Sequence, residues 1–388
     1  MRQSSLPKEE YKRRISVLQK ELRKNNIDLF VGYSSETESA TSRYLTGFWP
    51  FFDFAGVLVP VQGEAALVTG GPESYDFAKR FSKIENIQIN PLFVETSAPE
   101  WVPQVEGKSF REILPEILGT TPKVIGIGNY NIFPFPILED LKKAAPNADI
   151  VPADALLLKV QAVKSDAEIP YIKEAYRITE EAMKAALNAA APGMEEWELE
   201  SIARRKMLEL GAEGMPYPSW VCSGPNTVLS LCRSSERKIR ENELVQFTFG
   251  TKYMGYCGNM CRPFAIGKVP DKARHLMEVA LEATEYTLKT IRPGVPGKEI
   301  FQGYHDILSK YGYEEFTLYG PAHGTGSSEV EGLWLSENAD FGIEKNMLFN
   351  IDIWLSDGNY GLRFEEGVLV TDTGIEILNS YKREVIEL

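Results

Sequence analysis

The chain has 388 residues, of which 43% are hydrophobic and 25% charged, a balance typical of a folded globular protein with room for two domains. Its formal net charge of -13 disfavours nucleic acid as a partner, because phosphate binding requires a basic surface. No run of apolar residues has the length of a membrane span, and the polar N-terminus shows no secretory signal. We therefore expect a cytoplasmic protein that acts on a small molecule, with neither nucleic acid nor membrane as a partner.

Helical and strand patterns alternate over residues 1–157, which predicts an N-terminal α/β domain. Apolar residues at helical spacing predict a helix over residues 8–25, and a second helix is predicted over 137–145. The turn at Val61, Gln62 and Gly63 predicts a hairpin between two of the strands. The predicted strands cover residues 27–33, 54–60, 64–68, 124–127 and 148–152.

A second domain is predicted over residues 158–388, and it contains an internal repeat. Ser165 and Glu168 have the spacing of a capping box, which predicts the start of a helix. Further along, a Pro-Gly pair, two apolar residues and a glycine recur at the same separations, which predicts a duplicated helix-loop-helix with a ligand-binding cleft between the copies. The two copies are Pro192-Gly193, Leu199, Met207, Gly211 and Pro293-Gly294, Ile300, Leu308, Gly312.

Several short motifs of the second domain resemble those of the creatinase/prolidase/aminopeptidase P family, the "pita-bread" hydrolases. They are a hairpin over 244–266, Ser223-Gly-Pro-Asn226, Ala322-His-Gly-Thr-Gly326, Phe349-Asn-Ile-Asp352 and Arg363-Phe-Glu-Glu366. The resemblance implies an α/β N-terminal creatinase-like domain and an α+β pita-bread C-terminal domain with a pseudo-twofold internal repeat. It also implies a homodimer.

Family members normally hold two metal ions, and the resemblance places His323, Asp352 and Glu365 at three of the ligand positions. The two aspartates that bridge the metals are replaced by Thr248 and Asn259. This replacement removes two negative charges that a pair of dications needs. We therefore expect no two-metal centre and no bound metal or cofactor, although a single metal on His323, Asp352 and Glu365 is an alternative.

The remaining polar groups at these positions define the predicted catalytic set. His323 is predicted to act as a general base or acid, with Asp352 or Glu365 holding its tautomer. Two carboxylates close together raise the pKa of one of them, which predicts a protonated donor. Pairing of Glu365 with Arg363 as a structural ion pair is the alternative.

A second set of residues is predicted to contact the substrate. Leu231 and Val330 stand where the proline peptidases carry histidines, which argues against Xaa-Pro cleavage. Aromatic residues are expected to bind a cationic or flat ligand, and Cys261 and Cys232 are alternative nucleophiles. The predicted substrate-binding residues are Thr248, Asn259, Cys261, Arg363, Tyr256, Trp220, Leu231 and Trp354.

The sequence leaves several functions open. The main prediction is a metal-independent, creatinase-like hydrolase that cleaves a C–N bond of a small compound, for which a cation is one option. The alternatives are an Xaa-Pro dipeptidase with a reduced one-metal site, a lyase that uses the same proton-transfer groups, and a non-catalytic pita-bread binding protein. The chain lacks the long charged tails of such binding proteins, which favours an enzyme.

Overall fold

A computed structural model describes residues 6–95 and 106–388. The chain divides into two compact units, Met1–Gln161 and Ala162–Leu388. The boundary predicted after residue 157 falls inside a helix, Asp154–Gln161, and the units divide at the end of that helix.

The first unit is an α/β layer structure around one mixed sheet in the strand order β4-β3-β2-β1-β5-β6. Strand β2 pairs antiparallel with β1 and β3, whereas β1–β5, β5–β6 and β3–β4 are parallel. The described elements are α1 Lys8–Lys24, β1 Leu29–Ser34, α2 Ala40–Thr46, β2 Ala55–Pro60, β3 Ala66–Thr69, α3 Pro72–Phe81, β4 Ile87–Ile89, α4 Phe110–Leu118, β5 Val124–Gly128, α5 Phe135–Ala144, β6 Asp149–Pro152 and α6 Asp154–Gln161.

Helices cover both faces of this sheet because successive residues of β1 point to opposite sides. Phe30 packs in one apolar cluster with Leu18 of α1. Val31 packs in a second cluster with Ile113 of α4 and Leu141 of α5. The apolar stripe predicted for the first helix is buried at Tyr11, Ile15, Leu18 and Leu22.

The second unit is built on one sheet of eight strands flanked by two pairs of helices. The path through six of the strands is β10-β11-β12-β9-β8-β7, with β13 paired to β12 and β14 paired to β9. The described elements are α7 Ile169–Ala189, α8 Glu196–Leu210, β7 Trp220–Ser223, β8 Leu244–Tyr253, β9 Tyr256–Ala265, α9 Asp271–Thr290, α10 Gly297–Tyr311, β10 Ala322–Gly324, β11 Leu348–Ser356, β12 Gly361–Val370, β13 Ile375–Ile377 and β14 Ile386–Glu387.

The helix α7 begins later than the capping box predicted. The backbone N–H of Ser165 donates to the Glu168 carboxylate at 2.7 Å, as a capping box requires. However, the regular helix starts only at Ile169, because residues 166–168 form a turn. None of the described helices is long and apolar enough to cross a membrane.

The predicted internal repeat is visible in the backbone of the two helix pairs, α7–α8 and α9–α10. Gly193 and Gly294 have φ of 89° and 87°. The N–H of Gly193 donates to the carbonyl of Ile239 at 2.8 Å, and that of Gly294 donates to Ile343 at the same distance. Helices α8 and α10 both end on a left-handed glycine, Gly211 and Gly312. The four sequence positions in register therefore correspond to one motif built twice.

Candidate active site

A row of directly paired residues crosses the sheet of the second unit from β7 to β11. Trp220 pairs with Thr248, Thr248 with Cys261, Cys261 with Glu365, and Glu365 with Asp352. Residues directly opposite each other in neighbouring strands point to the same face of a sheet. The register therefore brings five of the predicted site residues onto one face, and all five are buried.

Arg363 lies two residues before Glu365 on β12 and therefore on the same face. Its Nη1 donates to Asp352 Oδ2 at 3.1 Å and to Glu365 Oε1 at 3.2 Å. The guanidinium packs 5.7 Å from the ring centre of Trp354, which pairs with it across the strands. One buried cation thus lies between two buried carboxyl groups, and the charges balance when one of the two carboxyl groups is protonated.

The acidity of Glu365 follows from this environment. Burial and then the charge of Asp352 raise the pKa of Glu365 to about 8, while Arg363 acts in the opposite direction. Glu365 Oε2 and Asp352 Oδ1 are buried and accept no hydrogen bond from the described residues. Glu365 is therefore a carboxyl group that can hold a proton at neutral pH.

The imidazole ring of His323, on β10, is oriented by a different group from the one predicted. Its Nδ1 lies 3.0 Å from the carbonyl oxygen of Gly324. A carbonyl can only accept, so Nδ1 carries a proton, and a ring with this single proton has its lone pair on Nε2. The expectation that Asp352 or Glu365 holds the tautomer is thus replaced by a backbone contact from the next residue.

Glu329 is a site residue that the sequence analysis missed. Its Oε1 lies 3.5 Å from His323 Nε2 and 3.4 Å from Asn259 Nδ2. Burial raises the pKa of Glu329, with Asp352 adding in the same direction and His323 opposing. The residue precedes Val330, which the family resemblance aligns with a histidine, and a carboxylate next to that position was the available signal.

The donor atoms do not fit two metal ions. No three His, Cys, Asp or Glu side chains among residues 6–95 and 106–388 are grouped as a metal site. Thr248 and Asn259 carry no charge, and Arg363 already binds the two carboxylates opposite them. A second dication would lie next to the positively charged Arg363 guanidinium instead of an anion, and the two charges would repel each other.

One cation fits a smaller donor set. In the Nδ1–H tautomer, His323 Nε2 and Glu329 Oε1 are both acceptors, and they face each other at 3.5 Å. Two atoms that bind one tetrahedral cation at about 2.1 Å are separated by about 3.4 Å. Asn259 Nδ2 donates to Glu329 Oε1 at 3.4 Å, and its Oδ1 is buried without a hydrogen bond in the described structure. His323 and Glu329 therefore offer two ligand atoms for one metal, and a turn of the Asn259 amide would add its oxygen as a third.

The thiol of Cys261 is not set up as a nucleophile. It is fully buried and lies 3.5 Å from the hydroxyl of Thr248. Burial, followed by the nearby Glu365 charge, raises its pKa well above the ordinary thiol value. The protonated thiol is a poor nucleophile, so Cys261 serves to fill the row between Thr248 and Glu365.

Two predicted substrate contacts, Trp220 and Leu231, line a pocket of about 730 Å³. Leu231 is 70% exposed at this pocket. Tyr217 lines it too, and its ring centre lies 5.7 Å from that of Trp220, the first residue of the row that ends at Asp352. Tyr256, by contrast, directs its hydroxyl to Glu168 at 3.3 Å.

The loop that carries this pocket is tied down by Glu196 at the start of α8, a second residue that the sequence analysis missed. The buried carboxylate accepts hydrogen bonds from the backbone and hydroxyl of Ser223, from Asn226, and from the backbone and hydroxyl of Ser235. Nothing in the spacing of Glu196 distinguishes it from the other acidic residues of the first helical turn. Its role is to position the pocket wall.

Comparison with known proteins identifies the family. Residues 170–372 match metallopeptidase family M24, and residues 14–163 match the creatinase/prolidase N-terminal domain. The chain therefore belongs to metallopeptidase family M24. An Xaa-Pro dipeptidase of Pyrococcus horikoshii is 25% identical over 348 residues, which are 88% of this chain and 91% of that protein.

Solved structures show the same fold. The prolidase of Pyrococcus horikoshii superposes with a TM-score of 0.83 at 23% identity, covering 96% of this chain and 100% of that one. An X-Pro aminopeptidase of Thermotoga maritima gives a TM-score of 0.79 at 24% identity, covering 96% and 99%. The predicted creatinase-like domain and pita-bread domain are thus confirmed.

The comparisons also correct the predicted function. The expectation of a hydrolase acting on a C–N bond is confirmed by the family. The more specific prediction, a metal-independent, creatinase-like hydrolase of a small cationic compound, is wrong. The relatives are named Xaa-Pro dipeptidases and prolidases, and they favour the dipeptidase alternative.

Proposed function

We propose that this protein is a peptidase that hydrolyses small Xaa-Pro peptides with the help of one metal ion. The observation that carries the proposal is the pair His323 Nε2 and Glu329 Oε1, two acceptor atoms that face each other at 3.5 Å. Two acceptors at this separation repel unless a cation or a proton lies between them. Membership of a metallopeptidase family supports the metal.

His323, Glu329 and Asn259 are the residues that would hold the ion. When bound, it would polarise the peptide carbonyl or a water molecule as a Lewis acid. The Nδ1–H contact to Gly324 fixes the His323 ring so that Nε2 keeps its lone pair for the metal.

The chain's own residues supply the proton transfer and the substrate pocket. Glu365, whose pKa is raised, can hold the proton that a leaving proline nitrogen needs. Arg363 fixes Glu365 next to Asp352 and prevents the two carboxylates from separating. Tyr217 packs against Trp220 and lines the same pocket as Trp220 and Leu231, which is the proposed place for the peptide side chain.

Two further properties belong to this proposal. A homodimer is the state expected from the family resemblance. A cytoplasmic location is the second property. Gel filtration with light scattering tests the first property, and fractionation of the source cells tests the second.

The decisive experiment is a metal and activity titration. The full chain is stripped of metal with a chelator, reloaded with Mn²⁺, Co²⁺ or Zn²⁺, and assayed on Leu-Pro and on Leu-Ala as the matched dipeptide. We expect one ion per chain by elemental analysis and hydrolysis of Leu-Pro that the chelator abolishes. The H323A variant should lose both, whereas H305A, on the surface of α10, should keep both.

The opposite results overturn the proposal. A wild-type protein that binds no metal and cleaves no Xaa-Pro dipeptide is not this peptidase. Elimination products from a dipeptide or related compound would indicate the lyase alternative. A protein without turnover whose partner binding survives H323A would be a non-catalytic binding protein.

A further inference from the structure

A buried ion pair between Lys164 and Glu331 lies at the base of the loop that carries Glu329. The ammonium group of Lys164 donates to Glu331 Oε2, and the two side chains are only 3% and 2% exposed. Lys164 comes before α7, at the start of the second unit, whereas Glu331 comes seven residues after β10. The pair therefore joins two segments of the second unit that are far apart in the chain.

The Lys164 end of the pair is fixed to the sheet. The backbone N–H of Lys164 donates to the carbonyl of Asn346 at 2.8 Å, and Val163 forms a β-bridge with Met347. Met347 immediately precedes β11, the strand that carries Asp352. Because a hydrogen-bonded strand holds its side chains more precisely than a loop does, the ammonium group extends from a firm base.

The Glu331 end holds the loop together. Its carboxylate accepts hydrogen bonds from the N–H and the hydroxyl of Ser327 and, at 3.2 Å, from the N–H of Ser328. The backbone N–H of Glu331 donates to the carbonyl of Gly324 at 2.8 Å. Ser328 before Glu329 and Glu331 after it are thus both anchored, which restricts the directions that the Glu329 side chain can take.

The packing around Gly326 shows how closely the ion pair fits against this loop. A Cβ added at Gly326 would lie 2.6 Å from both Lys164 Nζ and Glu331 Oε2, which is closer than van der Waals contact allows. The carbonyl of Gly326 accepts from the N–H of Cys257 on β9 at 2.7 Å. The pair therefore fills the space next to Gly326, and its loss would leave the loop room to move.

We infer that Lys164 is a positioning residue for the metal site, because it holds Glu331 and thereby directs Glu329 toward His323. The contacts lead from Lys164 to the Glu331 carboxylate and from there to the N–H groups of the loop. The loop in turn places Glu329 Oε1 at 3.5 Å from His323 Nε2. Residues that orient a metal ligand without touching the metal typically change the metal affinity by about 10- to 100-fold. The effect on metal binding rests on the proposed function, whereas the effect on the loop does not.

The first test measures the Zn²⁺ affinity of the metal-free full chain by isothermal titration. We expect K164M to bind Zn²⁺ at least about ten-fold more weakly than the wild type. Lys173→Met, which breaks an exposed pair with Glu376, is the matched control and should keep the wild-type affinity. In the E329Q background K164M should cause no further loss, because its effect passes through Glu329.

A double variant separates positioning from stability. K164M alone removes the counter-charge of the buried Glu331, so it should also unfold at a lower urea concentration. K164M/E331Q removes both charges and keeps an acceptor for Ser327 and Ser328. Its stability should return toward that of the wild type while its Zn²⁺ affinity stays low. Wild-type affinity in this double variant would indicate a purely structural role and would overturn the inference.

Hydrogen exchange of the metal-free protein tests the loop without reference to the metal. The backbone amides of Ser327 and Ser328 should exchange at least about ten-fold faster in K164M/E331Q than in the wild type, and K173M should leave them unchanged. Equal exchange in the wild type and the double variant would overturn the inference. A wild-type chain that binds no Zn²⁺ would overturn the proposed function, and the exchange rates would then decide whether Lys164 holds the loop of Glu329.

Discussion

Glu329 Oε1 lies 3.5 Å from His323 Nε2, at the separation of two ligands of one tetrahedral cation. Replacing Glu329 by Gln keeps the shape but removes the negative charge. We expect the affinity for the activating metal to fall by at least about 100-fold, more than is usual for loss of a residue outside the ligand shell. Isothermal titration of the metal-free protein with Zn²⁺ measures this affinity.

The matched control for that experiment is Glu337→Gln in an exposed segment of the same region. This substitution removes the same charge without touching His323 and should leave the affinity unchanged. Equal affinities of the wild type and of E329Q would show that Glu329 is not a ligand.

Arg363 is expected to contribute strongly to stability because it is the counter-charge of Asp352 and Glu365. Removing one partner of a buried ion pair typically costs about 3–5 kcal/mol, and we expect a loss of this order for R363M in urea unfolding at pH 8. The exposed Arg205→Met, which breaks a surface pair with Glu209, should change the free energy of unfolding by less than about 0.5 kcal/mol.

A double variant shows whether the loss in R363M comes from uncompensated charge. Adding Glu365→Gln to R363M removes one of the two anions that Arg363 balanced, so part of the lost stability should return. If the double variant is as unstable as the sum of the two single variants, the effect of Arg363 is packing against Trp354.

The pH dependence of stability follows from Glu365. Burial raises its pKa from about 4.5 in the unfolded chain to about 8 in the folded one. Between these values the folded state binds more protons than the unfolded state, so the free energy of unfolding falls as the pH rises. Unfolding of the metal-free protein should show this decline, and E365Q should flatten it. A wild-type curve that rises from pH 5 to pH 8 would contradict the assignment.

The sequence predicts those features that depend on local pattern. The stripe Tyr11, Ile15, Leu18, Leu22 defines the first helix because only one face of it can be buried. The motifs name the residues of the row from Thr248 to Asp352. The family resemblance implies how the strands that carry these motifs pair. The motifs do not predict the direction of a side chain in a loop, such as that of Glu329. This direction depends on the path that residues 327–331 take after β10.

The same limit applies to Arg363. Alternation along β12 places Arg363 on the face of Glu365, but its bond to Asp352 on β11 is decided by the reach of the guanidinium across the sheet. Long-range contacts of this kind have no local signal in one sequence.

Glu196 gives a test of how firmly the pocket loop must be held. Glu196→Ala leaves the donors of Ser223, Asn226 and Ser235 without their acceptor. Because a hydrogen bond to a charged group contributes about 1.5–3 kcal/mol, we expect a loss of at least about 3 kcal/mol in urea unfolding. Glu209→Ala, exposed on the same helix, is the control and should have little effect. A small loss for Glu196→Ala would mean that water satisfies the loop.

The two copies of the internal repeat provide a matched pair of glycine substitutions. Gly193 and Gly294 have φ of 89° and 87°, and a Cβ added at either would meet no described atom within 4 Å. The cost of alanine is therefore that of the left-handed backbone alone, about 1–2 kcal/mol. G193A and G294A should lose the same amount in urea unfolding. Gly342→Ala has equal space and no positive φ, so it should cost less than about 0.5 kcal/mol. Unequal losses at Gly193 and Gly294 would show that the two copies carry different strain despite their shared backbone.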